Sequence, residues 1–106
     1  MDFKEYQEQA VKTAIYGAGS TIIYPALGLG NEAGEVLGKI KKVLRDKDGV
    51  FEDNKEIGKE IGDVLWYIAA LCRDLNLSMD TIAQENIEKL LDRQKRNVIG
   101  GSGDDR

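Results

Sequence analysis

Two stretches of the chain carry acids in one pattern. NEAGEVLGKI (31–40) and KEIGDVLWYI (59–68) align without a gap. Glu32 falls on Glu60, Glu35 on Asp63, Gly34 on Gly62, and the apolar Val36, Leu37 and Ile40 on Val64, Leu65 and Ile68. Residues three apart on a helix share a face, so each copy presents a carboxylate pair. Either pair alone reads as readily as a solvated face. Two matched pairs point further. If their helices pack together, the acids converge, and converging like charges repel while each partly buried carboxylate is costly. A hard divalent cation relieves both, and Mg²⁺ takes oxygen ligands of this kind while keeping waters or phosphates as its other ligands.

The rest of the composition narrows the chemistry. The chain has no histidine, which removes the commonest general base near neutral pH and any Ser-His-Asp or Cys-His arrangement. The one cysteine, Cys72, sits in an apolar helical pattern and reads as a small core residue. Zinc is therefore disfavoured, as is a di-iron site built on Glu-x-x-His. A net charge of −4 with no basic block argues against a nucleic-acid partner. There is no apolar run near the roughly 18 residues of a membrane span and no signal peptide, so no membrane partner is expected and the expected compartment is the cytoplasm. GLGNEAG lacks the spacing and the preceding strand of a dinucleotide loop, no Walker pattern occurs, and DKDGVFEDNKE lacks EF-hand ligand spacing.

The elements that must position the acids are helical. With 106 residues, 42% hydrophobic, one proline and few strand-type runs, the chain reads as one all-α domain, 1–106. Asp2 with Glu5 caps a first helix running to about Ile15. YGAGSTIIYP interrupts it, and Pro25 suits the start of a second helix. RDKDGVFED is a polar turn centred on Gly49, after which Asp53 with Glu56 opens a third helix to about Leu75. Ser78 caps a fourth, to about Asn97. The last stretch, GGSGDDR, has no apolar content and reads as a flexible tail. Short connections make neighbours antiparallel and favour a four-helix bundle. A chain this small buries a modest core, so a partner subunit would help it.

At 100° per residue both copies of the repeat have one layout. The acids lie about 60° to 120° to one side of the apolar stripe, extended by Glu56 and Tyr67. Gly30, Gly34, Gly38, Gly58 and Gly62 lie on the other flank, each costing roughly 1 kcal/mol relative to alanine, which suggests close approach of another helix. Lys39 and Lys42 continue the acidic stripe and read first as a charge-balancing face. Asn86, Lys89, Arg93 and Arg96 share one face of the fourth helix, either a solvated edge or a phosphate clamp. Trp66 faces away from the stripe, as an oligomer contact or part of a base pocket. Tyr67 either stacks on a ligand or packs against Lys39.

Glu32-x-x-Glu35, 24 residues, then Glu60-x-x-Asp63 resembles the metal motif of the all-α, MazG-like nucleoside triphosphate pyrophosphohydrolases. GLGNEAGE and EIGDVLWYIA resemble that family's two motif helices, NIEKLLDRQKR its following helix, and GGSGDDR a C-terminal stretch of one subgroup. The resemblance implies a helical bundle assembled as a homodimer or homotetramer. It implies cleavage of nucleoside triphosphates between the α and β phosphates with Mg²⁺, for which Mn²⁺ would substitute. By position, Glu32, Glu35, Glu60 and Asp63 would bind the metal, and Glu32 or Glu35 would be the base that orients the attacking water. Lys39, Tyr67, Asn86, Lys89 and Arg93 would contact substrate. Asp104 and Arg106 would close over it if the tail follows the subgroup. Where many relatives carry a further acid, this chain has Asn31 and Lys59, which leaves the number of metal ions open. A nucleotide-binding module without turnover and a purely structural helical dimer are the rival readings.

Overall fold

The computed structural model describes residues 1–106 and contains four α-helices and no strand. They are α1 (Phe3–Val11), α2 (Ile23–Asp46), α3 (Lys55–Asp74) and α4 (Met79–Lys95), with a single 3₁₀ turn at Ala18–Ser20 between α1 and α2. No helix is long and apolar enough to cross a membrane.

Helix α1 starts as its cap predicts, with the Asp2 carboxylate accepting the Glu5 N–H at 2.8 Å. It ends at Val11, short of the expected Ile15. The N–H groups of Lys12, Thr13 and Ala14 bond three residues back, and the Thr13 hydroxyl donates to the Ala10 carbonyl at 2.7 Å. That tightened turn uses up the last carbonyls and lets the chain leave.

Helix α2 begins two residues before Pro25, which corrects the proline-first reading. Pro25 sits in the first turn, where its missing N–H loses nothing. The residue ahead of the helix is Ile22 at φ +70°, a left-handed conformation that is an outlier for a β-branched side chain. Such a residue costs on the order of 1–3 kcal/mol and persists only where its surroundings hold it. Here the Asp74 carboxylate accepts the Ile22 N–H at 2.9 Å. After α2 the turn passes through Gly49 at φ +74°. The Asp53 carboxylate then accepts the Lys55 N–H at 3.1 Å to open α3. Ser78 caps α4 by accepting from Thr81 at 3.2 Å.

Helices α2 and α3 pack antiparallel, with Gly28 facing Tyr67, Glu32 near Glu60 and Asp63, and Val43 near Ile57. Helix α1 lies across α3 and the start of α4. Gln7 fastens that crossing: its amide N–H donates to the Leu77 carbonyl at 3.0 Å and its amide oxygen accepts the Met79 N–H at 2.9 Å. The buried cluster is Ala10, Ala69, Cys72 and Met79, with Tyr6, Leu65, Trp66 and Ile68 packed on it. Trp66 is thus half-buried against this core rather than turned away from it. Helix α1 covers this part of α3.

Only seven of 106 residues are buried, and Leu27, Leu37, Leu44 and Leu91 are all more than half exposed. The radius of gyration is 16.7 Å, against about 13 Å for a compact chain of this length. One chain therefore leaves apolar faces of α2 and α4 uncovered. The glycine flank is open as well. A Cβ at Gly30, Gly34, Gly38, Gly58 or Gly62 meets nothing within 4 Å, so no helix of this chain exploits the close approach expected there. The close approach is at Gly28, where a Cβ would overlap the Tyr67 ring.

Gln7→Ala should remove both bonds that fasten α1 to the α3–α4 turn and leave the backbone groups of Leu77 and Met79 without those partners. The expected loss is about 1–3 kcal/mol of unfolding free energy, read from urea denaturation. A change near zero would show that the crossing is held by apolar packing alone.

Candidate metal centre and its aromatic wall

Helix α2 supplies Glu32, and α3 supplies Glu60 and Asp63 from one face, three residues apart. One carboxylate oxygen from each lies within 4.8 Å of the others. Glu32 and Glu60 are half-buried and Asp63 is exposed. Every ion pair of the chain lies elsewhere: Lys59 reaches Glu56 at 3.1 Å, and no lysine or arginine bridges the three acids. Partial burial, followed by the charges of Asp63, Glu60 and Glu35, pushes the Glu32 carboxyl above its ordinary value. The expected four-acid set is thus three acids drawn together, with Glu35 exposed beside them and felt by Glu32 through its charge.

A cleft of about 390 Å³ opens over this cluster, lined by Thr13, Glu32, Asp63, Trp66 and Tyr67. Its aromatic side is built in a row. Trp66 meets Tyr67 edge-on with ring centroids 4.9 Å apart, Tyr67 lies 6.1 Å from Tyr24, and Tyr24 stacks on Tyr16 at 4.9 Å. The Trp66 indole N–H donates to the Thr13 hydroxyl at 2.7 Å, fixing the ring's edge. The Tyr24 hydroxyl beside it, then burial, then the charges of Glu32 and Asp63 push the Tyr67 phenol up to about 12. It stays neutral, a hydrogen-bonding group on an aromatic face.

The remaining predicted contacts lie elsewhere in the chain. Lys39 lines a different cleft with Lys42, Asp46 and Glu56, toward the α2–α3 turn. Asn86 and Lys89 line another of about 280 Å³ with Ile82 and Glu85. Arg93 is buried. Residues 98–106 fold back along α4: Lys89 donates to the Asp104 carboxylate at 3.0 Å, and Arg93 donates to the Asp104 carbonyl. The Lys89 ammonium, then the Arg93 guanidinium, hold the Asp104 carboxyl below its ordinary value. The Arg106 guanidinium donates to the Val98 and Ile99 carbonyls at 3.1 and 3.0 Å. No cleft of the single chain is lined by both the acids and the α4 cations.

Thr13, Tyr16, Tyr24, Gly28 and Asp74 are site-forming residues that the sequence reading did not single out. The two tyrosines that bracket the Gly-rich stretch were the available signal.

Residues 25–98 match the model of the MazG nucleotide pyrophosphohydrolase domain. The chain belongs to the MazG family. A relative, the Gene 37 protein of Mycobacterium phage L5, is 47% identical over 109 residues, covering 95% of this chain and 96% of its own. That name states no activity. No solved structure matches significantly. The MazG match begins two residues into α2 and runs through α3 and α4, so it contains all three clustered acids, whereas α1 and Thr13 fall outside it.

Glu32→Gln removes one of three repelling charges. Because its pKa is raised in the fold, the folded metal-free chain holds, between the ordinary and the raised value, a proton that the unfolded chain has released. The associated stability is therefore present below the ordinary carboxylate pKa and is lost as pH rises through the folded one. At neutral pH, in chelator, Glu32→Gln should melt higher than the parent, with less dependence on pH across the acidic range. An unchanged or lower Tm would mean that the acids do not strain each other.

Proposed function

We propose that the chain hydrolyses (deoxy)nucleoside triphosphates between the α and β phosphates, releasing a nucleoside monophosphate and pyrophosphate. The observation that carries this reading is the carboxylate trio with no cation of the chain beside it, next to an aromatic wall, in a chain of the MazG family.

The donor set fits a hard divalent ion. All three ligand atoms are carboxylate oxygens, no histidine or thiol is among them, and burial, then the charges of its neighbours, hold Glu32 above its ordinary pKa. Glu32, Glu60 and Asp63 would hold Mg²⁺, or Mn²⁺ in its place. The ion would offset the charge of the triphosphate. Glu35, outside the trio and solvent-exposed, is the carboxylate free to take the proton of the attacking water. Tyr67 and Trp66 offer faces and a hydroxyl to the nucleobase, since aromatic stacking accepts any base. Asn86, Lys89 and Arg93 would hold the leaving phosphates, with Lys39 further along α2. Reaching the acids from α4 requires a second copy of the chain, and the uncovered apolar faces of α2 and α4 support a homodimer or homotetramer.

Glu60→Gln and Asp63→Asn should each cut pyrophosphate release from dNTPs by at least about 100-fold, the cost of losing several kcal/mol of charge stabilisation, with far-UV circular dichroism unchanged. Full activity in either variant sinks the trio as the catalytic centre. Glu35→Gln separates binding from chemistry. It should lower kcat by on the order of 100-fold or more while Mn²⁺ binding, followed by electron paramagnetic resonance, stays within about twofold of the parent. A parallel loss of Mn²⁺ binding would make Glu35 a ligand instead of the base.

One feature favours a second reading, a nucleotide-binding module without turnover: Lys59 is paired with Glu56 and adds no acid to the cluster. Calorimetry with dNTPs beside a pyrophosphate assay decides, because tight binding without release supports the module.

A further inference from the structure

Asp74, the last residue of α3, takes no part in the acid cluster, yet its carboxylate is only 4% exposed. Its Oδ2 accepts the Tyr16 hydroxyl at 2.7 Å and the Ile22 N–H at 2.9 Å, and its Oδ1 accepts the Arg73 Nε–H at 2.8 Å. Arg73 also donates to the Tyr16 hydroxyl at 3.0 Å and lies 5.7 Å from the centre of that ring. Burial pushes the Asp74 carboxyl up, but the Ile22 N–H, the Tyr16 hydroxyl and Arg73 outweigh it and hold the group below its ordinary value.

Both residues gripped by Asp74 belong to the connection between α1 and α2, and both lead to the cleft. Tyr16 stacks on Tyr24, Tyr24 borders Tyr67, and Tyr67 lines the cleft beside Glu32 and Asp63. Ile22 is the strained residue that sets where α2 begins, two residues before Tyr24. The acids depend on a different contact. They sit more than two turns along α2 and α3 from this clamp, held by the packing of the two helices on each other.

We propose that Asp74 is a positioning residue for the base-binding side of the site. It locks the α1–α2 connection, and so places the aromatic row against which the flat ring of the nucleobase stacks. It does so without touching substrate or metal. This rests on the proposed triphosphate reading for its activity readout, but not for its binding readout.

Trp66 is the chain's single tryptophan and lines the cleft, so its fluorescence reports a stacked base directly. Three quantities are measured on the full chain for Asp74→Asn and Tyr16→Phe. They are quenching of Trp66 by nucleoside monophosphates, KM and kcat for pyrophosphate release from dNTPs, and Mn²⁺ binding by electron paramagnetic resonance. Asp74→Asn should weaken monophosphate binding and raise KM by about tenfold, with kcat and Mn²⁺ affinity within about twofold of the parent. Tyr16→Phe keeps the ring stacked on Tyr24 and loses one bond to Asp74. It should fold normally and shift the same two quantities by about threefold.

Unchanged quenching and KM in both variants overturn the proposal. So does a loss of KM, kcat and Mn²⁺ binding together, which marks Asp74 as a general stabiliser. If the parent releases no pyrophosphate from any dNTP, the triphosphate reading fails on its own, and the quenching series still decides the role of Asp74.

Discussion

Bringing Glu32 onto Glu60 and Asp63 works against electrostatics, and the contact between α2 and α3 is what enforces it. The duplicated pattern of apolar residues gives each helix a stripe, and pressing the stripes together fixes the angle of everything beside them. The acids are set at the edge of that contact, so the backbones that carry them are held side by side. Burial of Glu32 and the charges around it raise its pKa, and no ion pair of the chain offsets them. Lysines are plentiful on α2 and at the start of α3, yet they pair elsewhere or point toward the far end of the hairpin. A cation there would lower the strain and spoil the site.

The same contact explains why the core is thin. Apolar area spent between α2 and α3 is a narrow strip, and α1 covers only the other side of α3. What remains buried is a small cluster of alanines, Cys72 and Met79 that fixes α1 to α3 and α4. Large side chains on α2 and α4 stay in solvent. Burial at about 25 cal/mol per Å² is the main source of stability, so a chain that leaves this much apolar surface open has a physical reason to associate with a copy of itself. The separation of the α4 cations from the acids within one chain points the same way.

Much of this was legible in the sequence, and the reason is periodicity. The four helices, the Asp2 and Ser78 caps and the turn at Gly49 follow from local rules that act within a few residues. The meeting of Glu32 with Glu60 and Asp63 follows from helical angle once α2 and α3 pack on each other. What was not legible came from contacts distant in sequence. The wheel could not show that α1 crosses the back of α3, so Trp66 was turned outward on paper. The glycines suggested close packing at five places, and the chain uses a sixth, Gly28, because only there does a ring from α3 lie against α2. Pro25 signalled a helix start two residues late, since the true start depends on Asp74 holding Ile22 from 52 residues away. Glu35 carries the same local signal as Glu32. It stays exposed beside the trio, although Glu60 and Asp63, also three apart, both belong to it, so helical angle does not separate the two cases.

The candidate site is therefore held by two separate devices. The acids are carried by the pairing of the two longest helices, which fixes where their backbones sit. The aromatic row depends on a connection with glycines at positions 17 and 19, on one strained residue and on one buried carboxylate. Chemistry at a metal tolerates little displacement, whereas stacking against a ring tolerates a good deal. The first sits on the paired helices and the second on a connection that Asp74 holds in place, so a change at one device need not disturb the other. On the proposed reading, substitutions at Tyr16, Ile22 or Tyr24 would act on which ring is accepted, and substitutions at Glu60 or Asp63 on the reaction itself.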